Sequence, residues 1–154
     1  MDKISQALPS TKIIHLGTVI FWFFFWMLSV VDKLILEPTF LWAGKNFFDE
    51  FVELFSSIGI ESTTIVTGFY WFVVLAESVA FALIAISLYH HLFGNIQKAH
   101  KFFFWGTIAG LIIFGFFTLG DQIFGERAEL LEHTMFWIAL IISWGAYTYF
   151  PKPK

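Results

Sequence analysis

The feature that most constrains this chain is an apolar run at residues 69–89 that contains one charged residue, Glu77. About 20 apolar residues, at a rise of about 1.5 Å each, cover the roughly 30 Å hydrocarbon layer of a bilayer. The run therefore predicts a membrane-spanning helix with a carboxyl group near mid-membrane. An acid at that depth costs roughly 2.5 to 3.5 kcal/mol. We therefore expect Glu77 to face other helices, where it either serves a ligand, metal or proton site or is a protonated acid that only joins helices together.

The composition of the whole chain predicts an integral membrane protein with a single domain. Of its 154 residues, 58% are hydrophobic and 14% are charged, whereas an average soluble domain has about 45–50% and about 25%. The chain has no cysteine, which excludes disulfides, thiolate catalysis and iron–sulfur ligation. It has no basic stripe that would favour a nucleic-acid partner.

Further apolar stretches predict an all-α fold, an antiparallel four-helix transmembrane bundle. Between the first two spans, phenylalanines fall on one helical arc and acidic residues on the opposite one, which predicts an interfacial amphipathic helix. The predicted spans are residues 13–35, 69–89, 102–120 and 128–150, with the interfacial helix at about 46–57. In the third span, Gly106 and Gly110 have the spacing at which small residues let helices approach closely, within the chain or between chains.

The distribution of charge predicts the orientation. With four spans, six lysines share a side with both termini, and three basic residues lie on the other side. Since basic residues favour the cytoplasmic side, we expect both termini in the cytoplasm and, in a bacterium, the acidic side facing the periplasm. The six lysines are Lys3, Lys12, Lys98, Lys101, Lys152 and Lys154.

A polar constellation is predicted at the non-cytoplasmic end, above Glu77. Lys33 ends the first helix, Asp121 ends the third, and Glu132 and His133 open the fourth. Imidazole and carboxylate ligands suit zinc, copper, iron or manganese, so Asp121, Glu132 and His133 are candidate metal ligands. The alternative for Glu129 and Glu132 is that they only complement the dipole at the N-terminus of the fourth helix.

Four histidines, His15, His90, His91 and His100, are predicted at the cytoplasmic boundary. Two of them facing each other across the bundle have the residue types for axial ligation of a b-type haem. The favoured interpretation is that they are solvated side chains near lysines.

The order of these landmarks resembles the DoxX/DoxD-like four-helix membrane proteins. The landmarks are Lys33 at the end of helix 1, a connector closing in Ser-Ile-Gly-Ile at residues 57–60, Glu77 within helix 2, and the junction from Asp121 to His133. The resemblance implies a small inner-membrane subunit linked to redox chemistry, similar to the membrane subunit of a thiosulfate:quinone oxidoreductase.

Residue by residue, the match is carried by Lys33, Glu77 and the Gly59-Ile60 connector. The chain departs from the family where its first helix is rich in Phe and Trp instead of Gly, and where residues 78–80 are Ser-Val-Ala instead of beginning with Gly.

The leading functional hypothesis is a subunit or accessory of a membrane oxidoreductase that contacts a quinone. Glu77 would handle protons with Lys33 or His133, and Trp71 and Trp137 would contact the quinone together with Glu77. The alternatives are a non-catalytic assembly subunit of a larger complex and a small proton or metal transporter. The expected partners are membrane lipid and either other subunits or further copies of the chain.

Overall fold

The computed structural model describes residues 8–35 and 46–149, with side chains from residue 13 onwards. These parts of the chain form α-helices, and the connections that lie within residues 46–149 are short turns. The helices are α1 (Leu8–Leu34), α2 (Phe47–Ser57), α3 (Thr63–Leu92), α4 (Ile96–Phe124) and α5 (Arg127–Tyr149).

Three helices in the described part of the chain are long and apolar enough to cross a membrane. They are Ile13–Leu34 within α1, all of α3 and all of α4, with mean hydropathies of 2.0, 2.2 and 2.0. The length and hydropathy of these helices confirm the prediction of an all-α membrane protein. α5 occupies the place of the predicted fourth span, but it is less apolar because charged and polar side chains occupy its first two turns.

The long helices extend beyond the apolar runs that predicted them. α3 begins at Thr63 and α4 continues to Phe124. For α4, the reason is that capping groups, not the limits of apolar sequence, determine both ends of the helix. Asn95 accepts a hydrogen bond from the backbone N–H of Lys98 at the start of α4, and Gly125 ends α4 in the left-handed region at φ 81°, which glycine adopts without a Cβ penalty.

Neighbouring long helices run in opposite directions. The α3–α4 turn includes Gly94 at φ 81°, and Ser87 Oγ–H donates to the carbonyl of Ala99 across it. α5 returns along α4, since Phe104 contacts Trp144 near one end while Asp121 contacts His133 near the other.

α1 packs against α3 and α5. Phe23 contacts Phe81 of α3 with ring centroids 5.3 Å apart, and Phe25 contacts Phe136 of α5 at 4.9 Å. The indole N–H of Trp22 donates to Ser143 Oγ of α5 at 3.0 Å. α1 therefore closes the space between α3 and α5.

The centre of the core is filled by Trp22 and Trp26, both fully buried. Trp26 fits because Gly110 of α4 faces it closely, and Gly106 of α4 allows the same close approach to α3. A Cβ at Gly110 would lie 2.9 Å from Trp26 Cζ2 and 2.7 Å from Leu140 Cδ1, and one at Gly106 would lie 2.5 Å from Ile84 Cδ1. The small residues predicted to allow close approach do so within the chain.

α2 lies against α3 and α4 through its aromatic side. Phe51 meets Tyr70 at 5.4 Å, and Phe55 contacts Phe69 and Phe124 at 5.2 and 5.4 Å. The side chain of Asn46 caps the helix by accepting from the N–H groups of Phe48 and Asp49. The acidic residues Asp49 and Glu53 are exposed.

Candidate functional site

The candidate site is an ion pair inside the protein. Lys33 Nζ lies 3.0 Å from Glu77 Oε1, and the two residues are only 8% and 1% exposed. Lys33 is in the last turn of α1, whereas Glu77 is the fifteenth of the thirty residues of α3. The two residues therefore meet in a direct contact between helices, which the sequence pattern did not predict.

A serine hydroxyl joins both members of the pair. Ser29 Oγ–H donates to Glu77 Oε2 at 3.0 Å, and Lys33 Nζ donates to Ser29 Oγ at 3.3 Å. Ser29 and Lys33 are four residues apart, so they lie on one face of α1. Both oxygens of the carboxylate are thereby bound from α1.

Two aromatic residues complete the surroundings of Lys33. Its ammonium lies 5.0 Å from the ring centroid of Phe47, the first residue of α2, within the range of a cation–π contact. The hydroxyl of Tyr70 donates to the backbone carbonyl of Lys33, which satisfies an acceptor at the end of α1 that has no partner within the helix. Lys33 therefore connects α1, α2 and α3.

The electrostatic balance of the site depends on both charges being present. Removing either an ammonium or a carboxylate from water costs several kcal/mol, and their attraction offsets this only with good geometry and further hydrogen bonds. The Ser29 hydroxyl supplies those bonds at the Lys33–Glu77 contact. The site is thus stable as a pair and unstable with one member removed.

A second pair, Asp121 with His133, joins the end of α4 to the start of α5. His133 Nδ1 lies 2.7 Å from Asp121 Oδ2, and the ring of Phe117 packs on the imidazole at 4.9 Å. Glu132, the third predicted metal ligand, is exposed. Among residues 8–35 and 46–149, no three His, Cys, Asp or Glu side chains are placed to share a metal ion.

The other predicted site residues are not gathered around Glu77. His133 contacts α4, whereas Glu77 contacts α1. Trp71 is 55% exposed and Trp137 is 39% exposed, so both indoles lie on the outside of the molecule while the carboxylate is inside. The described residues therefore form no common cradle in which Glu77 and the two tryptophans would hold one quinone ring.

The interpretation of the histidines as solvated side chains is wrong for three of them. His15, His91 and His100 are buried and surround the ring of Tyr147, at centroid distances of 4.7, 5.9 and 4.2 Å. We call the end of the helices where they meet the histidine end. His90 is half-buried and stacks on Phe102 instead.

The spacing of residues along α1 indicates this burial, whereas the distribution of charge between the two sides does not. On α1, residues 15, 19, 22, 26, 29 and 33 follow alternating steps of four and three, the spacing of a helix seam that faces its neighbours. Five of these six are buried and Ser29 is half-buried. His15 and Lys33 are therefore the two ends of the same inward stripe.

Comparisons with known proteins give no relative for this chain: no family model matches it, and no curated protein or solved structure reaches the level of a match.

Proposed function

We propose that α5 is a fourth membrane span and that α2 lies at the membrane interface. The membrane is the inner membrane of a bacterial cell, and the histidine end faces the cytoplasm. The 23 residues of α5 span about 35 Å, and its contacts with α4 extend from His133 to Tyr147, over most of that length. The exposed acidic side of α2 favours water over lipid. The excess of lysines at the histidine end supports the orientation.

Single cysteines test this topology, since the chain has none of its own. Glu132→Cys and Tyr149→Cys place thiols at exposed positions near opposite ends of α5. In intact cells we expect a membrane-impermeant maleimide to label the first, and to label the second only after permeabilisation. Lys98→Cys is the control for the cytoplasmic side. Labelling of both α5 positions from one side would contradict a fourth span.

We propose that the protein is a membrane subunit or accessory of an oxidoreductase, and that Glu77 is its proton-handling group. The observation that carries this is the Lys33–Glu77 contact with Ser29 bound to both residues. Ionisable residues inside membrane spans are uncommon and mark proton or substrate pathways. The resemblance to DoxX/DoxD-like proteins supports the redox assignment.

A proton-handling role requires Glu77 to take up a proton at the cost of its ion pair with Lys33. A proton added to Glu77 removes the negative charge and leaves Lys33 as a buried cation. Lys33 then retains two further contacts, the Ser29 oxygen at 3.3 Å and the face of Phe47. A cation over an aromatic face is stabilised by about 2 kcal/mol when it is desolvated. These contacts lower the cost of the protonated state of the site.

The redox partner is assigned to the outer surface of the molecule. The interior beside the site is filled by Trp26 and its neighbours, whereas Trp71 and Trp137 are exposed. A quinone or a redox subunit would therefore approach the aromatic outer surface. Proton exchange with the buried Glu77 would occur through the protein.

The test compares Glu77→Gln with Glu53→Gln in complexes purified from native membranes. Glutamine keeps the shape of the side chain but holds no exchangeable acid proton, so we expect quinone-dependent turnover to fall by about a hundredfold, the lower end for general acid–base groups. Glu53 is an exposed acid of α2 and is expected to be replaceable without loss. Unchanged turnover in Glu77→Gln would contradict the proton role.

A second candidate, a non-catalytic assembly subunit, is favoured by the way the pair ties three helices together. Lys33 contacts Glu77 of α3, the ring of Phe47 in α2 and the hydroxyl of Tyr70. A partner that copurifies in stoichiometric amount, together with unchanged turnover in Glu77→Gln, would establish this role instead.

A further inference from the structure

A groove between α4 and α5 at the histidine end is not used by the proposed function. It has a volume of about 410 Å³, is shallow and largely open, and is lined by His100, Lys101, Phe104, Trp144 and Thr148. The volume lies within the range of about 300–1,000 Å³ that is typical of small-molecule sites.

The groove is polar near the helix ends and aromatic deeper down. Lys101 is the sixth residue of α4, and Phe104 lies about one turn further along the same helix. On α5, Thr148 is next to the last residue and Trp144 lies one turn deeper. The rings of Phe104 and Trp144 meet at 5.2 Å to form the floor. This order matches a molecule with a polar head and an apolar tail lying along the helices.

The polar part of the groove is basic. Lys101 is exposed and lies beside His100, and no Asp or Glu occurs at residues 78–120 or after residue 132. An anion bound at Lys101 therefore has no carboxylate near it on either helix. The acids of α4 and α5, such as Asp121 and Glu129, lie at the opposite end of the helices.

The surface onto which the groove opens is apolar. Trp105 is 50% exposed on α4, and Ile141 and Ile142 are exposed on α5. Tryptophans at this level are typical of the boundary between headgroups and hydrocarbon, and basic pockets between helices on the cytoplasmic side bind anionic headgroups. An acyl chain gains free energy by covering the aromatic floor, whereas a soluble anion does not.

We propose that this groove is a binding site for an anionic phospholipid. The headgroup phosphate lies at Lys101 and receives a charge-assisted hydrogen bond from its ammonium. One acyl chain lies over Phe104 and Trp144. The site is independent of Glu77 and of the oxidoreductase assignment, and it rests on the proposed membrane placement of α5 and of the histidine end.

The experiment reconstitutes the purified chain in phosphatidylcholine bilayers that contain a minor fraction of phosphatidylglycerol. The chain is then extracted in a neutral detergent, and the lipids retained per protein are counted by mass spectrometry. We expect the wild type to retain phosphatidylglycerol in preference to phosphatidylcholine. Lys101→Ala is expected to lower that preference about fivefold, the effect of one basic residue near an anionic surface.

Lys98→Ala is the matched control. It removes the same charge one turn away, outside the groove, and leaves the cap intact because the Asn95 contact is made by the backbone N–H of Lys98. Equal losses in the two variants would mean diffuse attraction and would overturn the site. No preference in the wild type would overturn it as well.

Inorganic phosphate separates the lipid from a soluble anion. We expect added phosphatidylglycerol to raise the thermal unfolding midpoint of the wild type in detergent, and this rise to be smaller in Lys101→Ala. Phosphate at equal concentration is expected to have little effect. If phosphate stabilises the wild type as strongly as the lipid does, the occupant is not a lipid.

Discussion

Glu77→Ala is expected to lower the free energy of unfolding by about 3 to 5 kcal/mol, the range seen when one member of a buried ion pair is removed. The physical reason is that the Lys33 ammonium stays in the interior after its carboxylate at 3.0 Å has gone. Its remaining contacts, Ser29 and the ring of Phe47, offset part of that cost. Reversible unfolding in mixed detergent micelles measures the difference.

The double variant Lys33→Met with Glu77→Leu tests whether the unpaired charge of Lys33 causes this loss of stability. Replacing a whole buried pair by apolar residues of similar size is often neutral or stabilising, so we expect the double variant to recover most of the loss. Glu53→Ala, at an exposed site, is expected to stay within about 0.5 kcal/mol of the wild type. A double variant as unstable as Glu77→Ala would show that the unpaired charge is not the cause.

The same double variant separates the two candidate functions. It keeps α1 and α3 together without an ionisable group between them. If the pair handles protons, the variant is expected to fold and assemble but to lose turnover. If the pair only holds helices together, turnover is expected to be retained.

Gly110→Ala is expected to cost about 1 to 3 kcal/mol, the usual range for overpacking a filled core. Its Cβ would lie 2.9 Å from Cζ2 of Trp26 and 2.7 Å from Cδ1 of Leu140. Leu140 has a flexible end that moves at small cost. Trp26 is a large, rigid and fully buried ring, so the backbone of α4 or α1 has to shift. The same unfolding measurement records the loss.

Two other glycines of α4 provide the controls. A Cβ at Gly115 has only Trp137 Nε1 nearby, at 3.9 Å, so Gly115→Ala is expected to be neutral or to stabilise by up to about 1 kcal/mol through helix propensity. Gly106→Ala meets only Ile84, mainly the flexible end of its side chain, and is expected to fall between the two. Equal changes in the free energy of unfolding at all three positions would mean that Trp26 does not limit how closely α4 approaches α1.

The seam of α3 shows how much of the interior was readable from sequence. Its residues 66, 70, 73, 77, 80, 84, 87 and 91 are spaced by alternating fours and threes, and all are buried. A helix seam at this spacing faces its neighbours. The same reasoning on α1 selects Lys33 over the adjacent Asp32 as the inward residue. It also places His15 and His91 inside, where counting charges by side predicted solvated residues.

The candidate site was only partly predictable. The spacing along α1 and α3 indicates that Lys33, Ser29 and Glu77 each face inward, but not that they meet. His133 and Glu77 also share the polar constellation predicted from the topology, yet they contact different helices. Periodicity shows which face of a helix points inward. Whether two inward residues meet also depends on how far one helix is shifted along the other.

The sequence by itself determined that this is a helical membrane protein, because long apolar runs have no other stable environment. It also determined which face of α1 and of α3 is inward, because the seam repeats along each helix. Only the tertiary structure decided the partners: Glu77 with Lys33, Asp121 with His133, and three histidines around Tyr147. The physical reason is that these side-chain contacts depend on how far one helix is shifted along another. That shift is determined jointly by large side chains such as Trp26, by glycines such as Gly110, and by the turns between helices.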